Sequence, residues 1–473
     1  MSPRLTTRNL LIVGIGMSVL ALGAWLIYAF THSAIYTQDP VDLRVYFDGG
    51  YIVRHHYPYD PHLQYPLYMW NGATGKQAYS LQLPFTYTPF AAIAFVLASL
   101  TPGKINPGTG LPPLVPDLSQ VVNVLLFVAA IWFTFRGLGV NDRRVRLGAT
   151  LLVAGLTFWM QPVLRTLYLG QINLFLMALI LWDLTQPKGR WWKGIGTGVA
   201  AGIKLVPLVF VPYLLVARKF REAGGVVAGF LLTIVIGFII LPSDSGDWWF
   251  NGLFAQGKRT GFIGWEGNQS LNGLVTRLAG SIQAGQPIWL VAGALTVVIG
   301  AVAAGLLDRA GYPMPAILTA ALTGLLASPI SWDHHWVWVA PAVAVLGYYG
   351  YQHHETARTK AIACCGCGVA LLLAFFAWPA AWFENARSWS LGANTLGLIW
   401  MQGNTDPGKY QQYGDLPTYV EYHWHWFQLI WGNLYVLVGI TALAALTVVA
   451  VRAWSGARRR AVSRTATEPA LTG

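Results

Sequence analysis

Three carboxylates fall within one short stretch, Gln38-Asp39-Pro40-Val41-Asp42-Leu43-Arg44-Val45-Tyr46-Phe47-Asp48-Gly49-Gly50. That density stands out in a chain of 473 residues of which only 11% are charged. A carboxylate can take a proton from a hydroxyl nucleophile, and Asp42 is the candidate base. Three further polar clusters punctuate apolar sequence. They are Lys258-Arg259 with Glu266-Gly267-Asn268-Gln269-Ser270-Leu271-Asn272-Gly273, then Trp332-Asp333-His334-His335-Trp336, and Tyr422-His423-Trp424-His425-Trp426. The imidazoles of His334 and His335 can move a proton. Lys258, Arg259 and Lys204 can bind a phosphate and neutralise it as it leaves. Asn268, Gln269 and Asn272 supply amides, and Tyr46 and Trp332 offer flat apolar faces to a sugar ring. Together these groups make the inventory of an enzyme acting on a sugar carried by a lipid phosphate.

Each residue type has a plainer use. Asp39 before Pro40 and Asp48 before Gly49-Gly50 suit turns. Asp42 also suits the N-cap of a helix on which Leu43 and Tyr46 share a face; spacing leaves base and cap both open. Adjacent residues on a helix point in different directions, which favours one histidine in the site over a metal half-site. Lys204 interrupts an apolar segment, where a charge is costly and usually functional. It also suits a snorkelling side chain, or a break before Pro207. Arg165 carries the same ambiguity. Cys364, Cys365 and Cys367 lie in one apolar run without the further ligands of a zinc site, and read as packing residues.

What must position these groups is a membrane domain. Hydrophobic residues make up 55% of the chain, and its charge content is under half the roughly 25% of soluble domains. The net charge of +12 reads as cytoplasmic Lys and Arg. No aromatic-rich basic module points to nucleic acid. Apolar segments are expected at 10–30, 83–100, 118–135, 147–163, 171–184, 194–216, 226–241, 287–307, 313–330, 335–351, 361–381 and 427–451, twelve in all. The expected architecture is an all-α integral membrane protein over residues 1–455, with external loops at 31–82, 242–286 and 382–426 carrying short amphipathic helices, and a disordered cytoplasmic tail at 456–473. Twelve crossings place Arg136, Arg143, Arg144, Arg146, Lys188, Arg190 and Lys193 on the external side, against the positive-inside rule. Two alternatives relieve this: a broken hairpin at Lys204-Leu205-Val206-Pro207, and a non-spanning segment near Pro84–Pro89.

Six motifs in order carry a resemblance. They are Asp42-Leu43-Arg44-Val45-Tyr46, Leu83-Pro84-Phe85-Thr86-Tyr87-Thr88-Pro89-Phe90, Leu169-Gly170-Gln171-Ile172-Asn173-Leu174, Ile203-Lys204-Leu205-Val206-Pro207, Gly267-Asn268-Gln269-Ser270-Leu271-Asn272-Gly273 and Ser328-Pro329-Ile330-Ser331-Trp332-Asp333-His334-His335-Trp336-Val337-Trp338. The chain resembles glycosyltransferase family 87, polyprenol-phosphate-mannose-dependent mannosyltransferases of the GT-C class. The family's Phe-Thr-Tyr-Pro-Pro reads Phe85-Thr86-Tyr87-Thr88-Pro89 here. The resemblance implies an inverting transferase on the external face of the plasma membrane. Its donor would be a β-mannosyl phosphate on a polyprenol. Its acceptor would be a mannosylated phosphatidylinositol glycolipid or lipomannan, and the product an α-(1→2) bond. Asp42 matches the family's loop carboxylate, the general base, and His334 and His335 its His-His motif. A single displacement needs no carboxylate nucleophile, unlike a retaining glycosidase. No cofactor is expected: the leaving group carries no nucleotide, no G-x-G-x-x-G or P-loop is present, and a cationic side chain can do a metal's work; the alternative is a cation held by Asp39 and Asp42 with His334 and His335. The rival readings are another polyprenyl-phosphate sugar donor, such as arabinose, and a lipid transporter.

Overall fold

The computed structural model describes residues 7–31, 40–56, 85–106, 110–252, 262–379, 395–400, 410–413 and 416–467. Asp39, Lys258 and Arg259 lie outside the described residues, as do long parts of the loops expected at 31–82 and 382–426.

Helix α1 (Thr7–Thr31) leads to α2 (Val41–His56) and the short α3 (Pro89–Ser99). Helices α4 (Leu114–Gly137) and α5 (Arg143–Thr157) precede a bent pair, α6 (Gln161–Leu169) and α7 (Asn173–Leu184), which meet at 115°. Helix α8 (Ile195–Ile203), a 3-10 turn at Val206–Val209 and α9 (Phe210–Val216) form a hairpin. Next come α10 (Phe220–Ile240), α11 (Pro242–Trp249), α12 (Leu271–Ala279), α13 (Ile282–Arg309) and α14 (Pro313–Ala327). A 3-10 turn at Asp333–Trp338 separates α14 from α15 (Val339–His353), followed by α16 (Arg358–Phe375), α17 (Trp426–Trp431) and α18 (Leu434–Thr467). Two small antiparallel ribbons pair Trp378–Pro379 with Thr395–Leu396 and Tyr410–Tyr413 with Leu416–Tyr419.

Glycine contacts set the helix directions. A Cβ on Gly14 would meet the Gly148 carbonyl at 2.4 Å, and one on Gly155 would meet the Met17 backbone at 2.6 Å. Helices α1 and α5 therefore run parallel, in a close approach that only glycine permits. Helices α8 and α10 are likewise parallel, with Gly198 against Val226 and Gly202 against Thr233. The Arg136 guanidinium donates to the Trp182 carbonyl and the Thr185 hydroxyl, tying the ends of α4 and α7. Lys193 pairs with Glu222 at 3.2 Å and Lys219 with Asp308 at 2.6 Å. Arg309 lies 4.2 Å over the ring of Trp454. One end of the bundle thus gathers Arg136, Arg143, Arg144, Arg146, Lys193, Lys219 and Arg309. The opposite end carries Asp42, Asn268 and His334.

This arrangement does not confirm the expectation of twelve crossings. The 194–216 segment forms a hairpin: α8 rises from the cationic end, breaks at Lys204, and α9 returns to Lys219. The break has a local cause. Pro207 has no N–H to continue the helix, and the Gly202 carbonyl is bonded by the Thr88 hydroxyl. The 83–100 segment holds one short apolar helix of 11 residues. Helix α3 starts beside Gly202 and Gly237 and ends at Ser99, whose carbonyl accepts from Arg54 at 2.8 Å, so both of its ends stay in the site half. Irregular backbone at membrane depth is tolerated where protein buries it. Among the described residues, six helices are long and apolar enough to cross a membrane, or seven with the bent pair as one span; α14 is a shorter apolar helix.

The last helix continues to Thr467, so the backbone of 456–467 is helical rather than disordered as expected. Asp48, Gly49 and Gly50 lie inside α2 and make no turn. Both glycines are there for space: added Cβ atoms would strike the Phe85 ring at 2.5 Å and the Phe95 carbonyl at 2.2 Å.

Candidate active site

Asp42 occupies the first turn of α2, one residue inside its start at Val41. The cap position belongs to Pro40, whose carbonyl accepts from the Arg44 N–H at 3.0 Å. The N-cap reading of Asp42 therefore fails. Its carboxylate is half-buried and accepts no hydrogen bond among the described residues. It acts electrostatically on Tyr46, Tyr87, Lys204 and His334, which places these groups around one point.

Helix α2 is held from below. Tyr46, one turn after Asp42, donates through Oη to Gln171 Oε1 at 2.7 Å, lies 3.0 Å from Tyr87 Oη and stacks on Phe95 at 4.3 Å. Gln171 is aimed by the α6–α7 bend. Gly170 takes φ +65°, and a Cβ there would strike Leu43 at 2.6 Å. The Leu-Gly-Gln-Ile-Asn motif is thus a left-handed cap that swings Gln171 toward Tyr46 and Asn173 toward the histidines. Tyr46 is too deeply buried to stack on a ligand, at 3% exposure. It positions α2 instead.

The Asp333–Trp338 turn holds both imidazoles. Asp333 is an anchor: Arg165 Nε sits 3.2 Å from Oδ2, and the backbone N–H of His334 donates to Oδ1 at 2.9 Å. His334 Nδ1 lies 3.2 Å from Oδ1, so Nδ1 carries the proton and Nε2 is an acceptor. That Nε2 is buried and has no partner among the described residues. The His334 carbonyl accepts from Thr166 Oγ1 and Asn173 Nδ2, each at 3.0 Å. His335 points elsewhere, as adjacent residues should, with Nε2 2.8 Å from Lys204 Nζ. Burial holds both imidazoles below their usual range, most strongly at His335, so both rings are neutral near pH 7.

Lys204 marks the head of an open groove of about 530 Å³. Asn173, Lys204 and His335 form its polar end, and Leu176, Ile180, Phe210 and Leu325 line its apolar flank. Lys204 pairs with no carboxylate among the described residues; it tops the α8–α9 hairpin and faces the 333–338 turn.

The amides expected to bind substrate do other work. Asn268 accepts from the Ser331 N–H at 2.9 Å and donates to the Ile263 carbonyl at 2.9 Å. Gln269 donates to the Glu266 and Gly432 carbonyls at 2.5 and 2.7 Å, and accepts from the Tyr435 N–H at 3.2 Å. Asn272 donates to the Pro329 carbonyl at 3.1 Å. All three are buried. Asn268 and Asn272 brace the 264–272 loop against the Pro329–Ser331 segment that precedes the histidine turn, and Gln269 braces it against Gly432 and Tyr435. Trp332 is half-buried, edge-on to Trp265 at 5.2 Å. Arg165, Gln171, Asn173 and Asp333 join the site without having been assigned to it from spacing. The signal for each was a polar side chain in a chain that has few. No group of three or more His, Cys, Asp or Glu side chains able to hold a metal occurs among the described residues.

The helical membrane bundle is that of a GT-C glycosyltransferase. The chain belongs to glycosyltransferase family 87, whose family model matches residues 85–329. A polyprenol-phosphate-mannose-dependent alpha-(1-2)-phosphatidylinositol pentamannoside mannosyltransferase of Mycobacterium tuberculosis is 33% identical over 387 residues, 81% of this chain and 83% of that protein. A protein of the same description from Mycolicibacterium smegmatis is 30% identical over 389 residues, 81% of this chain and 87% of its own. A second Mycobacterium tuberculosis protein, a polyprenol-phosphate-mannose-dependent alpha-(1-2)-phosphatidylinositol mannoside mannosyltransferase, is 35% identical over 280 residues, 59% of this chain and 65% of that protein. No solved structure matches the chain.

Proposed function

We propose that the protein transfers mannose from polyprenyl-phosphate-mannose to a mannosylated phosphatidylinositol glycolipid, forming an α-(1→2) bond with inversion. The observation that carries this reading is the Lys204–His335 pair at the head of an apolar groove, with Asp42 in electrostatic reach of Lys204. The polyprenyl chain lies along Leu176, Ile180, Phe210 and Leu325, and its phosphate meets Lys204 and His335. Asp42 approaches the sugar from the side of α2 and takes the acceptor's hydroxyl proton. A positioned base contributes about 10²–10⁴-fold in rate. The phosphate gains a negative charge as the sugar–oxygen bond breaks, and a fixed cation stabilises that change. His334 Nε2, an acceptor without a partner among the described residues, takes a hydroxyl of a bound sugar.

Cations gather in cytoplasmic loops. The end holding Arg143, Lys193 and Arg309 is therefore cytoplasmic, and the site opens on the external face of the plasma membrane. Both re-entrant features bring the first half of the chain into agreement with that rule. The relatives' printed activities support the donor, the linkage and the class of acceptor.

The test is a membrane assay with radiolabelled polyprenyl-phosphate-mannose and a panel of phosphatidylinositol mannosides. Labelled product from a mannosylated acceptor is expected. Transfer from polyprenyl-phosphate-arabinose, with none from the mannose donor, would overturn the donor assignment.

A further inference from the structure

Two nitrogen atoms that would both be expected to donate face each other at the head of the groove. The Trp332 N–H reaches His335 Nδ1 at 3.2 Å, and a backbone N–H only donates, so Nδ1 is bare. The single proton of the neutral ring then sits on Nε2, directed at Lys204 Nζ 2.8 Å away. On the other side, Asn173 Nδ2 donates to the His334 carbonyl at 3.0 Å, which fixes that amide and turns its Oδ1 to Lys204 Nζ at 3.2 Å. An ammonium at Lys204 would satisfy Asn173 but meet His335 donor to donor. A protonated His335 would make the same clash worse. An amine with a lone pair accepts from Nε2–H and still donates to Oδ1. Lysine is the cation that most readily exists uncharged when buried.

We propose that Lys204 is an uncharged amine in the donor-free site, and that a phosphodiester entering the groove brings it one proton from solvent. The balance is simple. The amine gains one solvent proton and becomes an ammonium, while a phosphate oxygen replaces Nζ as the acceptor of the His335 Nε2–H. The charged and titratable groups facing Lys204 are Asp42 from α2, His335 from the 333–338 turn and, through it, His334; α7 offers the uncharged Asn173. None of these has to change its own proton count. The inference rests on reading the groove as the donor site. It deepens that reading: the cation that stabilises the departing phosphate is loaded by the donor itself and discharged with the product.

The experiment is isothermal titration of the full-length protein, in detergent, with farnesyl methyl phosphodiester. The single charge of this probe does not titrate in the working range. Titrations at pH 9 in buffers of different ionisation enthalpy give the number of protons taken up. About one proton per site is expected, with affinity falling about tenfold per pH unit between about pH 8.5 and 9.5, since one unit is a factor of ten for one linked proton. Lys204→Arg keeps its charge at every working pH and should bind with no uptake. Binding by the wild-type protein without uptake overturns the inference and leaves the donor groove standing. Uptake that persists in Lys204→Arg assigns the proton elsewhere and also overturns it. Absence of binding overturns this inference and the donor reading together. The wild-type proton count decides the matter even where Lys204→Arg does not fold.

Discussion

Arg165 Nε lies 3.2 Å from Asp333 Oδ2, with both side chains shut away from solvent. This ion pair joins α6 to the turn that carries the histidines, and His334 hangs from the other oxygen of the same carboxylate. Removing one partner of a buried pair leaves the other charge uncompensated, which costs about 3–5 kcal/mol. Arg165→Leu and Asp333→Ala are each expected to lower stability by that order, read by thermal unfolding in detergent. Wild-type unfolding temperatures in both variants would remove the pair from the framework of the site.

Asp42→Asn keeps the shape of the side chain and loses its basicity. Transfer is expected to fall by about 10²–10⁴-fold, the range for a lost general base. Binding of farnesyl methyl phosphodiester should be unchanged, because Asp42 does not line the groove. A variant with full transfer activity would reduce Asp42 to a favourable charge at a helix N-terminus.

The two histidines are expected to fail differently. His335→Ala removes a donor at the groove and should raise the KM for the lipid-linked sugar. His334→Ala removes an acceptor at the sugar and should lower kcat more than it raises that KM. Kinetics with donor and acceptor varied separately distinguish the two. Equal and negligible losses would take the pair out of the site.

Glu266 is fully buried, and neither carboxylate oxygen has a hydrogen-bond partner among the described residues. Burial, reinforced by Glu421, pushes its carboxyl well above the usual range. The folded protein therefore holds a proton that the unfolded chain releases above about pH 4.3. The stability this group contributes is full below that pH and is lost as pH rises toward the folded-state value. Glu266→Gln, which mimics the neutral acid, should equal the wild type near pH 4 and exceed it at pH 8 in thermal unfolding. A variant no more stable than the wild type at pH 8 would show that Glu266 is ionised in the fold.

Hydropathy made the membrane class legible, and six motifs in order carried the resemblance to the family. Apolar runs announce burial or lipid whatever their partners, and the six motifs keep their order whatever the fold. The roles of Asn268, Gln269 and Asn272 were not legible. An amide that binds a sugar and one that braces a carbonyl look alike until the Pro329 and Gly432 carbonyls are seen beside them. Asp48 with Gly49-Gly50 misled for the same reason. Glycine reads as a turn until the Phe85 ring and the Phe95 carbonyl are placed against it.

Hydropathy by itself does not fix the number of crossings. An apolar segment that enters a membrane and returns has the same composition as one that passes through. The sequence by itself determined that Asp42 lies in an acidic stretch between apolar segments, that Lys204 interrupts another, and that adjacent histidines cannot point the same way. Tertiary structure alone decided that Lys204 tops a hairpin facing His335, and that α2 brings Asp42 within its electrostatic reach. Such relations join residues more than a hundred positions apart, and they depend on which helix ends share a side of the bundle. That was set by glycine-to-backbone contacts such as Gly14 on Gly148, which periodicity cannot encode.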